Sequence, residues 1–171
     1  MGDHMIWATA GGVTVGLCIL VWHLIEWWPG LKQLQDRPLP YAGDLLPFVV
    51  AWCYGVLGVL TAMGLIGWAF DTALWASNWL GDAALYIGVG EAPGRVSQGV
   101  YAPLTGLGNC AVLLATVCMV AAIKFTPAGK ALKRGTWCGL CLGTSAGVAG
   151  LTAVPLAEAA NWLGATVYGA V

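Results

Sequence analysis

Long apolar runs separated by short polar stretches make up most of the chain, and four of them are long enough to cross a bilayer. About 30 Å of hydrocarbon takes roughly 20 apolar residues at about 1.5 Å each. The first run covers residues 6–26, with His23 as its one interior His or charged residue. The second covers 45–70, lies between Asp44 and Asp71, and carries no charge. The third covers 104–123 and stops at Lys124; the fourth begins at Trp137 and reaches residue 157, just before Glu158. Helices are expected for all four, because an isolated strand leaves its backbone unsatisfied in lipid. The pattern predicts an all-α membrane protein: one membrane domain over residues 1–171, built as a four-transmembrane-helix bundle. Interfacial helical segments are expected after spans two and four. Residues 1–5 carry no positive n-region, and no small-residue cleavage site precedes a soluble domain, so the first run reads as a retained span.

Composition points the same way. Only 9% of residues are charged, against about 25% in an ordinary soluble domain, too few to cover a water-facing surface. The net charge of −1 offers no basic face for phosphates, so direct nucleic-acid binding is not expected. The Lys and Arg residues are nevertheless unevenly placed. Loop 27–44 holds Lys32 and Arg37, and loop 124–136 holds Lys124, Lys130, Lys133 and Arg134. Loop 71–103, the longest, holds only Arg95. The positive-inside rule then puts both basic loops in the cytoplasm and both termini outside, in a multi-pass protein of the cell membrane.

Small residues recur along the spans at four-residue spacing. Gly139, Gly143 and Gly147 form a row in the fourth, with Ser145, Ala149 and Ala153 beside it. The first span repeats the device with Ala8, Gly12 and Gly16, and the second with Gly55, Gly58, Ala62, Gly64 and Gly67. Such rows let helix backbones approach closely where lipid removes the hydrophobic effect. They predict helix packing at Gly139, Gly143, Gly147, Gly12, Gly16, Gly64 and Gly67, within the bundle or between copies.

The chain also echoes itself. "TAMGLIG" at 61–67 is followed by "ASNWLG" at 76–81, and "TSAGVAG" at 144–150 by "AANWLG" at 159–164, in one register without a gap. Spans two and four run in the same direction, so the echo describes a parallel repeat of a two-helix unit. Both NWLG segments fall beyond the outer end of a span. There Trp75, Trp79, Trp162 and Tyr168 are expected as interfacial anchors, each with an apolar ring and a polar tip.

Candidate chemistry is sparse. "TWCGLC" at 136–141 resembles the redox motif of thiol oxidoreductases, with Cys138 and Cys141 as the pair. Membrane enzymes such as the vitamin K epoxide reductase family also place CxxC at a helix start in a four-helix bundle. Their cysteines face the oxidising side, whereas these would face a reducing cytosol, and no second pair is placed to relay electrons. The remaining cysteines, Cys18, Cys53, Cys110 and Cys118, lie in apolar runs and read as small hydrophobes. His23 and Glu26, spaced i, i+3, form a possible intramembrane polar pair. No hydrolase triad, metal-spaced His cluster or phosphate loop appears, so no enzyme activity, cofactor or metal is expected.

The hydropathy profile and the Trp/Gly/Ala-rich spans resemble small hydrophobic proteins of actinobacterial mobile elements, such as the spread proteins of conjugative plasmids. The resemblance implies membrane passage beside a DNA-translocating ATPase, with no functional residue carried over. Read this way, the chain is a non-enzymatic subunit or anchor of a membrane-spanning assembly. Its partners would be the lipid bilayer, further copies of itself or other membrane proteins. A holin-like pore and the thiol oxidoreductase are the competing classes.

Overall fold

The computed structural model describes residues 9–34, 38–61, 64–90, 94, 96, 104–145 and 148–169. These form six helices: α1 Ala10–Leu34, α2 Pro38–Leu60, α3 Gly64–Val89, α4 Gly106–Phe125, α5 Gly129–Gly143 and α6 Val148–Gly169. Three helices contain stretches long and apolar enough to cross a membrane, Ala10–Trp28, Gly43–Leu60 and Gly106–Phe125. The all-α class is thus observed, but a count of four spans is not.

The expected second and fourth spans are each interrupted. α2 ends at Leu60, so the run 45–70 is not one helix, and α3 carries the chain on from Gly64 to Val89 through much of the expected outer loop. The run 137–157 is divided between α5 and α6. Both interruptions fall on the echoed Thr positions. Thr61 turns its hydroxyl back onto the Gly58 carbonyl, and its N–H reaches the same oxygen at 3.3 Å. The Thr144 hydroxyl donates to the Cys141 carbonyl at 3.4 Å. Ser145 donates both its hydroxyl, at 2.9 Å, and its N–H, at 3.1 Å, to the Leu142 carbonyl. These i to i−3 bonds satisfy the last carbonyls of each helix and close its final turn. After the first break Gly64 takes φ +87°, a left-handed conformation that favours glycine. An apolar run alone does not reveal such a break, because Thr and Gly barely alter its hydropathy.

The basic segment 124–136 is also more ordered than a loop, since α5 starts at Gly129 and includes Lys130, Lys133 and Arg134. α5 lies along α2 in parallel: Gly135 faces Phe48, Gly139 faces Trp52 and Gly143 faces Val56. α1 runs against α5 in the opposite sense, with Gly16 beside Cys141 and Glu26 beside Arg134. The end of α1 and the start of α5 therefore share one end of the bundle.

Candidate functional site

Where α2 meets α5, the helices touch through their backbones. A Cβ on Gly139 would fall onto the Trp52 carbonyl, and one on Gly55 would fall onto the Thr136 carbonyl. At Gly143 it would lie 3.1 Å from the Val56 Cα, and at Gly135 it would strike the Phe48 carbonyl. Gly135, Gly139 and Gly143 thus make a row that starts one turn earlier than the row read from the sequence. Gly147 lies outside the described residues. The missed member, Gly135, sits at the same four-residue spacing, but the basic residues before it gave it the look of a loop. The row is occupied within the chain, against its own α2. Such contact replaces lipid with close dispersion contacts along both backbones.

The first helix uses its glycines against two neighbours. A Cβ on Gly16 would come 2.9 Å from the Cys141 Cβ, and one on Gly12 would land on the Asn78 amide oxygen. Gly11 meets Gly81 and Asp82, and its N–H donates to Asp82 Oδ1 at 3.2 Å. Gly67 is buried in α3. Gly64 serves differently from the packing role expected of it: nothing lies within 4 Å of a Cβ there, and its place is the turn.

A second contact of the same form joins α4 to α6. Thr105 caps α4 by accepting the Gly108 N–H at 3.2 Å, as Thr9 accepts the Gly12 N–H at 3.2 Å ahead of α1. Asn161 Oδ1 accepts from the Thr105 N–H at 2.9 Å and from its hydroxyl at 3.0 Å. A Cβ on Gly108 would land on that same amide oxygen. The two NWLG asparagines therefore sit in matching places, each against the first turn of an earlier helix. The echo predicts the pairing of Asn78 with Asn161 but not the Thr-x-x-Gly turns they meet.

The Trp residues beside these asparagines point outward. Trp75, Trp79 and Trp162 are exposed, as interfacial anchors would be, and Trp22, Trp28 and Trp68 join them. The side chain of Tyr168 lies outside the described residues.

His23 and Glu26 differ in their surroundings. His23 is buried and stacks on Phe48, with ring centroids 4.1 Å apart and planes 11° from parallel. Among the described residues neither of its ring nitrogens has a hydrogen-bond partner. Glu26 is exposed; one carboxylate oxygen pairs with Arg134 of α5 and the other accepts the Trp22 indole N–H at 2.8 Å. For direct contact Glu26 takes a guanidinium across the helix interface, a stronger, charge-assisted partner than an imidazole turned into the core. Beside this ion pair, Cys18, Ile19, Trp22 and Arg134 line a cleft of about 340 Å³.

Cys138 and Cys141 lie in the body of α5, well past its start at Gly129, and both are buried. Cys138 donates its thiol proton to the Gly16 carbonyl at 3.4 Å, and all six cysteines are free. A reactive thiol needs exposure and an electropositive setting such as a helix N-terminus. Exposure is missing for both cysteines, which are buried. No group of three or more potential metal ligands occurs among the described residues. No protein-family model, curated protein or solved structure matches the chain.

Proposed function

We propose that the chain is a non-enzymatic, multi-pass membrane protein that acts as a subunit or anchor of a membrane-spanning assembly. The observation that carries this reading is the backbone contact between α2 and α5. It joins a candidate span to the glycine row by close packing, leaving the tryptophans and aliphatic side chains of α1, α3 and α4 to face outward. A rigid body with an apolar exterior suits lipid and lateral partners. A holin-like pore requires glycine faces that are free to pair between copies, and here Gly139 and Gly143 pack within one chain. Burial of Cys138 and Cys141 weighs against the oxidoreductase.

The orientation we propose has both basic segments in the cytoplasm and both termini outside. The ion pair between Glu26 and Arg134 supports it by bringing the two basic segments to the same end. Reporter fusions test this: phosphatase activity is expected after Gly90 and cytoplasmic fluorescence after Gly129. The opposite pattern reverses the orientation. For the function itself, induced expression should leave the membrane potential intact, read with a potential-sensitive dye. Photocrosslinking from the exposed positions Trp75 and Trp162 should give one discrete adduct. The resemblance to spread proteins makes a DNA-translocating ATPase the first partner to test. Rapid loss of potential on induction would favour the pore.

A further inference from the structure

We propose that the cleft between α1 and α5 is a binding site for one anionic phospholipid, its phosphate on Arg134 and an acyl chain along Cys18 and Ile19. This rests on the membrane reading above. Glu26 holds both walls of the cleft at once, taking Trp22 of α1 through one carboxylate oxygen and Arg134 of α5 through the other. Among the described residues, Arg134 is the charged one that lines the cleft, beside Cys18, Ile19 and Trp22.

The helix directions give the cleft a depth. Arg134 lies opposite Glu26, near the end of the candidate span Ala10–Trp28, whereas Cys18 lies toward its middle. At about 1.5 Å rise per residue, roughly 12 Å of helix separates Glu26 from Cys18. The charged end thus meets the headgroup level, with the exposed Trp28 beyond it, and the apolar end meets the acyl region.

Charge complementarity selects the headgroup. Lys130 stands one turn from Arg134 on α5 and is exposed, as is Lys133. Glu26 offsets part of this positive charge, and the remainder favours an anionic lipid over a zwitterionic one. Arginine matches phosphate oxygens with paired N–H donors. A free phosphate would use Arg134 but leave the wall formed by Cys18 and Ile19 uncovered, which is why a lipid fits better than the ion.

The test uses the full chain extracted from membranes in detergent. Retained lipid is read by native mass spectrometry and stability by thermal melting, after adding phosphatidylglycerol, phosphatidylcholine or inorganic phosphate. One phosphatidylglycerol per chain is expected, bound about fivefold to tenfold more tightly than phosphatidylcholine. Arg134→Gln should abolish that preference. Cys18→Trp, which adds bulk at an exposed wall without touching the ion pair, should reduce binding of both lipids. Lys124→Gln should change neither. Equal binding of the two lipids, equal stabilisation by phosphate alone, a preference that survives Arg134→Gln, or undiminished binding by Cys18→Trp would overturn the proposal. A chain recovered in the soluble fraction without detergent would instead overturn the membrane reading.

Discussion

The two halves of the molecule, α1–α2–α3 and α4–α5–α6, share their joints and differ in their middle helices. In each half a Thr hydroxyl helps end the middle helix, at Thr61 and at Thr144. In each, an Asn of the third helix abuts a glycine in the first turn of the first, Asn78 on Gly12 and Asn161 on Gly108. Yet α2 includes an apolar stretch able to span a membrane, whereas α5 is 15 residues long and starts among Lys130, Lys133 and Arg134. The comparison teaches that the geometry the halves share lies at helix ends and crossings, while helix length and charge differ between them.

The most damaging way to disturb the relation is at the seam that joins the halves. Gly139→Ala places a methyl on the Trp52 carbonyl, which is backbone and cannot swing aside. A loss of about 3 kcal/mol is expected, at the upper end of overpacking effects, measured by denaturant unfolding in detergent. Leu65→Ala, at an exposed position, is the matched control and should stay near the parent. Equal stability of the two variants would show that the seam is not tight.

Equivalence of the halves is sharpened by the next pair. A methyl on Gly81 would strike the Gly11 carbonyl, and one on Gly164 would strike that of Leu107. Gly81→Ala and Gly164→Ala should each lose about 2 kcal/mol in the same assay. A large loss in one and none in the other would mean that the halves only look alike.

Asn161→Ala removes the acceptor for two donors on Thr105, one of them a backbone N–H at a helix start. About 1 to 2 kcal/mol should be lost, with faster hydrogen exchange at the first turn of α4. If exchange rises at α1 rather than at α4, the assignment of Asn161 to its own half is wrong. The smallest effect is expected from Glu26→Gln. Its ion pair is solvent-exposed, so the melting temperature should barely move and any shift should shrink with added salt.

The sequence made some of this legible and hid the rest for identifiable reasons. Helical class and membrane character follow from apolar runs and scarce charge. Three of the expected runs overlap the stretches that the structure marks as able to span. The fourth does not, because "GTSAG" at 143–147 is apolar enough to continue a run while Thr144 and Ser145 end the helix with their own hydroxyls. The same blindness extended the second run past Thr61. Echo matching found Asn78 and Asn161 because they share a register. It could not find Gly12 and Gly108, which follow a different offset and depend on contacts made across the fold. Spacing alone put Gly139 and Gly143 in one row, but the helix they face was not readable, since small residues occur on every candidate. Arg134 counted only as a topological charge until the structure paired it with Glu26.

The seam between α2 and α5 also sets a timetable for biogenesis. Trp52 and the Gly139 that must meet it are separated by about 87 residues of chain. At a synthesis rate of about 5–20 residues per second, roughly 4–17 s pass between their emergence from the ribosome. During that interval Gly55 has no α5 to pack against, and α2 must wait with its small-residue face on lipid or on whatever attends the nascent chain. Stalled or truncated products ending before α5 would keep that face open.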